Sequence, residues 1–178
     1  ISEGQAKINF RSKIIKKKLS ELVKQCARPN NSLYARTLLV IHEMQFYLID
    51  KDLPKIEEIF KELGEIFKEA NNLGSYPFES YARIVVELGD IFTGNAAFEE
   101  LYDLVQDELL RRNSEGEKGS LLIKRGHQKL KAGRTYEAIR FLGKSQTYLI
   151  KDEYSGELAR SLAICGQAYK EAGLLWAA

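Results

Sequence analysis

Apolar residues recur every three or four positions along most of this chain, with polar residues between them. This spacing is typical of amphipathic α-helices, because residues three and four apart lie on one side of a helix. No segment alternates apolar and polar residues for long enough to predict a sheet. The two clearest stripes are Ile56, Ile59, Phe60, Leu63, Ile66, Phe67 and Ala70, followed by Val85, Leu88, Ile91 and Phe92.

The pattern predicts an all-α fold of about eight helices and the first turn of a ninth. The short connections between them predict that neighbouring helices run antiparallel, as a series of helical hairpins. The three prolines stand where helices begin or have just ended, at Pro29, Pro54 and Pro77. The predicted helices cover residues 5–27, 33–49, 54–71, 77–93, 96–112, 117–132, 135–150 and 154–172.

A set of residues recurs in the same order 40 residues further along the chain. Gly126 and Ala138 fall on Gly166 and Ala178. Each of these glycines lies inside a predicted helix, where glycine costs about 1 kcal/mol relative to alanine. We expect that cost to be offset because the bare α-carbon lets the second helix of the hairpin approach closely at its alanine. Further pairs in the same register are Leu122 with Leu162, Ala132 with Ala172, Gly133 with Gly173, and Tyr136 with Trp176.

These residues resemble the signature of the tetratricopeptide repeat, a hairpin of two helices. The match is strongest over residues 118–178, through Leu162, Gly166, Tyr169, Gly173 and Ala178. It is weaker over 78–113, where Gly89 keeps the motif glycine and Leu101 replaces the expected small residue. Glycine spacings of 37 and 40 residues are similar to the longer-helix variants of the family.

Two residues depart from the pattern inside the best-matched part of the chain. Arg125 and Lys129 stand where the family has leucine and tyrosine. The motif itself specifies packing and no chemistry.

The resemblance implies a right-handed superhelical stack in which the first helix of each hairpin lines a concave groove that takes a peptide or a helix of a partner. Residues 1–178 are expected to form one such domain, a fragment of a longer protein. Its parts are a basic capping helix over 1–28, hairpins over 33–71, 77–113 and 117–150, and an incomplete hairpin over 154–178. Carried over by alignment, the partner-binding residues are Arg83, Asp90, His127, Lys131, Arg160, Gln167 and Lys170.

Composition and charge limit the classes of function that this chain can have. Hydrophobic residues make up 44% of the chain and charged residues 29%, which is typical of a soluble globular protein, and no apolar run approaches a membrane span. Two distant cysteines, Cys26 and Cys165, favour a reducing, cytoplasmic setting over a disulfide framework. Basic residues outnumber acidic ones 8 to 2 over 1–28 and 11 to 5 over 118–178, whereas acidic residues prevail 17 to 7 over 50–117. Such polarity suits charged partners or self-association.

The first helix carries the most distinct electrostatic pattern. It can lie on an anionic membrane, contact nucleic-acid phosphates or bind an acidic groove. The alternative, which we favour, is a capping helix that packs its apolar side on residues 33–49. Its basic residues are Arg11, Lys13, Lys16, Lys17, Lys18 and Lys24, and its apolar residues are Ile8, Phe10, Ile14, Ile15, Leu19, Leu22 and Val23.

Catalytic and metal-binding patterns are weak in this chain. Gly143-Lys144-Ser145 ends like a phosphate-binding loop, but the glycine required five residues earlier is Ala138, and the stretch is predicted to be helical. The glycine-rich residues 116–120 are predicted to form a turn before the next helix. His42 and His127 have no ligand partner at metal-binding spacing.

The sequence therefore predicts a non-enzymatic interaction scaffold or sensing segment without cofactor or metal. Its predicted partner is a protein or peptide. Because of Lys131, Arg160 and Lys170, an acidic partner is mildly favoured. The alternatives are nucleic-acid or anionic-membrane binding through the first helix, and regulation of a catalytic region outside this chain.

Overall fold

The computed structural model describes residues 3–26, 28–71, 73 and 76–177, and within these ranges the side chains of residues 3–12, 29, 30 and 152 are not described. The described residues form eight α-helices and one turn of 3-10 helix, with no strand among them. The prediction of an all-α chain is therefore confirmed. The helices are α1 (Glu3–Gln25), α2 (Pro29–Asp50), α3 (Leu53–Ala70), α4 (Phe78–Phe92), α5 (Ala96–Arg112), α6 (Glu115–Lys131), α7 (Thr135–Tyr148) and α8 (Ser155–Glu171), with the 3-10 turn at Asp152–Tyr154.

The helix ends follow local chemistry. Asn95 accepts a hydrogen bond from the backbone N–H of Phe98 at the start of α5 (3.0 Å). At the start of α6, the backbone N–H of Ser114 donates to the carboxylate of Glu117 (2.9 Å). Because this cap holds the helix start, α6 begins at Glu115, and residues 116–120 are helical where a turn was predicted. Gly133 ends α6 with a left-handed φ of 73°.

The chain divides into two compact units, residues 1–78 and 79–178. In the first unit, α2 packs between α1 and α3. The predicted apolar stripe of α3 is buried throughout. Arg36 of α2 donates to Glu69 of α3 (3.0 Å), and the hydroxyl groups of Thr37 and Tyr76 share a buried hydrogen bond (2.7 Å). The prediction of a single domain over 1–178 stays a prediction.

The second unit contains helices α4 to α8. Its α4 stripe differs from the prediction, since Val85 and Phe92 are buried but Ile91 is 70% exposed. Ile91 lies six residues, or about 240° around the helix, from Val85. The buried side of α4 is formed instead by residues three, four and seven positions apart: Ala82, Val85, Val86 and Gly89.

The predicted contact between α6 and α7 is confirmed at Gly126. A Cβ added to Gly126 would lie 2.7 Å from Cγ of Leu142 and 3.3 Å from the carbonyl oxygen of Ala138. Next to this contact, a buried cluster joins α6, α7 and α8 through Leu130, Ala138, Leu142, Cys165 and Ala168. The close contact at Gly126 therefore supplies the packing that was expected to offset the cost of a glycine inside a helix.

After α8, Leu174 to Ala177 form a turn where the first turn of a ninth helix was predicted, with the N–H of Ala177 donating to the carbonyl of Leu174 (2.9 Å). Leu175 and Trp176 are largely exposed there. Among the described residues, every helix is too short or too polar to cross a membrane.

Candidate functional site

Three helices of the second unit carry the residues predicted to bind a partner. Arg83 and Asp90 lie on α4, His127 and Lys131 on α6, and the other three on α8. Spacings of seven, four and seven residues place Arg83 with Asp90, His127 with Lys131, and Arg160 with Gln167 on one side of their helices. We call these three sides together the groove face, after the concave groove that the resemblance to the repeat implies.

Charges from all three helices act on His127. Partial burial lowers the pKa of its imidazole, the charges of Lys131 and Arg160 lower it further, and the charge of Asp90 opposes them. Coulomb interactions fall off with distance, so Asp90, Lys131 and Arg160 each lie within electrostatic range of His127. Three other predicted residues, one from each of α4, α6 and α8, therefore act electrostatically on His127.

A salt bridge on the same face ties α4 to α6, between Glu87 and Lys124. Sequence reasoning missed this pair. The spacing along each helix could have indicated that both residues lie on this face. Glu87 falls between Arg83 and Asp90 on α4, and Lys124 lies three residues before His127 on α6.

Arg83 lies at the other end of the groove face. It lines a cavity of about 450 Å³ with Glu117 and Ser120 of α6, Tyr154 and Glu157. A second cavity of about 170 Å³ shares Arg83 and Glu117 and adds apolar walls from Val86, Leu109 and Leu121. Arg83 forms no ion pair within the described part of the chain. The groove face thus ends in a recess where the Arg83 guanidinium lies beside apolar side chains and the carboxylate of Glu117, whose pKa its charge helps to lower.

The remaining two predicted residues are less closely tied to the others. The side-chain amide of Gln167 donates to Glu171 of its own helix (2.9 Å). Lys170 is exposed, and among the described residues it has no acidic partner. Both are available at the surface of α8, but neither contributes to the charge cluster around His127.

The two residues that depart from the repeat motif form a buried ionic network with Glu99 of α5. Arg125 is completely buried, stacks over the ring of Tyr102 (3.6 Å to the centroid) and donates to Glu99 (2.6 Å). Lys129 is almost fully buried and pairs with both Glu99 and Glu137 (2.9 Å to the latter). The network was not predicted, although two cations at apolar motif positions indicated that an acidic partner was needed.

The network also sets the protonation of Glu99. Burial raises the pKa of this carboxyl, but hydrogen bonds from Lys129 and the Gly94 amide and the charge of Arg125 outweigh burial, and the pKa is lowered on balance. Glu99 and Lys129 form the floor of a cavity of about 590 Å³ whose rim includes Arg134, Arg140 and Lys144. Because Lys129 lies two residues, or about 200°, from both His127 and Lys131, this cavity opens on a different side of α6 from the groove face.

The residues that end like a phosphate-binding loop lie within helix α7, where Gly143 and Lys144 are exposed and Ser145 is buried. Ser145 lies in α7, where its hydroxyl is buried, donates to the carbonyl of Leu142 (2.7 Å) and contacts the hydroxyl of Ser161 on α8 (2.6 Å). His42 packs edge-on against Phe46 of its own helix, with 4.9 Å between ring centroids. Among the residues that the structure describes, no cluster of His, Cys, Asp and Glu is arranged to hold a metal ion.

Comparison with known proteins found no match to a family model, to a curated protein or to a solved structure.

Proposed function

We propose that this chain is a non-enzymatic protein-interaction module whose groove face binds an extended peptide or a helix of a partner protein. In this proposal the hairpins stack as a right-handed, tetratricopeptide-like superhelix and serve as a scaffold or sensing segment of a larger cytoplasmic protein. The observation that carries the proposal is that the charges of Asp90, Lys131 and Arg160, from three separate helices, all act on the partly buried His127.

The charges favour an acidic ligand. Lys131, Arg160 and Lys170 form no ion pair among the described residues and outnumber the one acidic residue of the groove face that is also without an ion pair, Asp90, because Glu87 is already paired with Lys124. Free cations on the groove face attract acidic side chains and select against basic ones. The recess at Arg83 adds apolar walls that suit one anchoring apolar side chain of the ligand.

A peptide-selection experiment tests this proposal and requires no identified partner. A displayed library of random peptides is selected on the 178-residue chain, and the affinities of the selected peptides are measured by fluorescence anisotropy at two salt concentrations. We expect acidic peptides whose affinity falls at least about tenfold in the Lys131→Glu, Arg160→Glu variant and also falls with added salt.

The matched control is the variant Arg140→Glu, Lys144→Glu, which makes the same charge change on exposed residues of α7. We expect this control to bind like the wild type. A library that yields no binding peptide, or peptides that bind both variants equally, contradicts the proposal.

A further inference from the structure

The basic helix α1 is only partly covered by the first unit. Leu19, Val23 and Cys26 are half-buried and lie within about 60° of one another around the helix. At the margin of this side, Lys16 pairs with Glu43 of α2 (2.6 Å). These contacts account for the capping role expected of α1, but they use only one side of it. The side chains of Ile8, Phe10 and Arg11 lie outside the described residues.

Large apolar side chains remain exposed on the uncovered side of α1. Ile14 is 41% exposed, Ile15 is 43% exposed and Leu22 is 50% exposed. At 100° per residue they fall within one arc of about 100°, and Ile14, Lys18 and Leu22 follow one another every four residues along it. Single exposed apolar residues are ordinary, whereas three within nine positions on one side of a helix form a patch.

One lysine lies within this patch, and three more lie on the neighbouring exposed side of the helix. Lys18 projects between Ile14 and Leu22, whereas Lys13, Lys17 and Lys24 share an exposed arc of about 40° that begins about 60° from Ile14, with Glu21 between them. None of these four lysines forms an ion pair in the described part of the chain. Over residues 13–26 the one acidic residue is Glu21. The exposed side of α1 is therefore both apolar and strongly basic.

We propose that this side of α1 docks on an anionic lipid bilayer. In that orientation Ile14, Ile15 and Leu22 enter the boundary between headgroups and acyl chains, and the lysines contact anionic headgroups while their stems cover apolar surface. A nucleic acid would satisfy the lysines but would leave the apolar patch in water. The interleaving of apolar and basic residues therefore favours a lipid surface.

Flotation with vesicles tests the proposal. The whole chain is mixed with vesicles of phosphatidylcholine alone, or of phosphatidylcholine and phosphatidylserine at a ratio of about 7 to 3, and the bound fraction is measured over a range of salt concentrations. We expect binding to the anionic vesicles only, weakened by salt. Ile14→Ser with Leu22→Ser is expected to reduce the partition coefficient about tenfold or more. Lys13→Glu with Lys17→Glu is expected to reduce it at least as much.

Matched controls make the same changes elsewhere. Ile91→Ser with Leu162→Ser replaces two exposed apolar residues on α4 and α8, and Arg140→Glu with Lys144→Glu reverses two exposed charges on α7. Both controls are expected to bind anionic vesicles like the wild type, and circular dichroism checks that every variant is folded.

Three outcomes overturn the proposal: no binding to anionic vesicles at low salt, equal loss in the controls, or a charge-reversal effect without any effect of the serine substitutions. In a parallel arm with a labelled oligonucleotide, binding that depends on the lysines but not on Ile14 and Leu22 would assign α1 to nucleic acid instead. Neither result bears on peptide binding at the groove face.

Discussion

Arg125 donates a hydrogen bond of 2.6 Å to Glu99, across 26 residues of sequence, and its side chain is completely buried. A buried arginine is costly unless its charge is paired and its N–H groups are bonded. Glu99 supplies the pairing, the hydroxyl of Thr93 accepts a second hydrogen bond (3.1 Å), and the ring of Tyr102 lies beneath the guanidinium. Glu99 therefore serves as counter-charge for two buried cations of the second unit, because it also binds Lys129.

Replacing Glu99 by glutamine is predicted to destabilise the protein by about 3 kcal/mol, because two buried cations lose their shared counter-charge. Urea unfolding of the variant measures the free-energy change. The matched control is Glu100→Gln, an exposed neighbour that should stay within about 0.5 kcal/mol of the wild type. Equal effects at the two positions would show that the network contributes nothing particular to stability.

The same carboxylate predicts an acid-dependent loss of stability. The pKa of Glu99 in the folded protein lies below its ordinary value of 4.5, so its ionised form stabilises the fold fully above about pH 4.5. This contribution is lost as the pH falls through the folded-state pKa. Between about pH 5 and pH 3 the free energy of unfolding should therefore fall more steeply for the wild type than for Glu99→Gln. Parallel pH profiles would contradict the prediction.

Two glycines of the same hairpin are predicted to respond oppositely to alanine. At Gly126 the added Cβ meets Leu142 and the backbone of Ala138, so the variant should lose about 1–2 kcal/mol despite its better helix propensity. At Gly143, in α7, no atom lies within 4 Å of the added Cβ, and the variant should gain about 0.5–1 kcal/mol. Thermal or urea unfolding of the two variants decides this, and a gain at Gly126 would refute the close contact.

Gly89 and Gln128 are predicted to be energetically coupled. A Cβ on Gly89 would clash with the side-chain oxygen of Gln128, whose amide nitrogen donates to the carbonyl of Val86 (2.8 Å). Gly89→Ala should therefore cost about 1 kcal/mol, because the buried amide must move and lose that bond. In a Gln128→Ala background the same change should become neutral or stabilising. A double-mutant cycle with a coupling energy near zero would contradict the packing of α6 on α4.

The titration of His127 is predicted to report the charges on the groove face. Replacing Lys131 by glutamate should raise the pKa of His127, since it exchanges a repelling charge for an attracting one, and Asp90→Asn should lower it. Proton NMR of the imidazole follows both changes, and His42→Gln assigns the signals because the chain has two histidines. Lys144→Glu, on α7, is the control and should leave the pKa unchanged. If Asp90→Asn had no effect, α4 and α6 would not share this face.

The helices could be predicted from sequence because their causes are local. The α3 stripe, the helix end at Gly133 and the close packing at Gly126 all follow from residues a few positions apart, or from a motif that repeats. The residues around His127 were selected by alignment with a repeat motif, and spacing along each helix could not show that three helices would meet there. Ile91 was assigned to the buried stripe because apolar spacing does not reveal where a stripe ends.

The sequence by itself determined an all-helical chain, the buried stripe of α3 and the echoed glycines, because hydrogen bonding and side-chain direction in a helix depend on neighbours within about four residues. Tertiary structure alone decided that Arg125 and Lys129 are buried around Glu99, that Gln128 covers Gly89, and that Ile14 and Leu22 remain exposed. These outcomes depend on partners far away along the chain, such as Glu99 at 26 residues from Arg125, or on how much of a helix its neighbours cover. Charge pairing and the extent of burial depend on which surfaces pack together, and the pattern within one helix does not specify that.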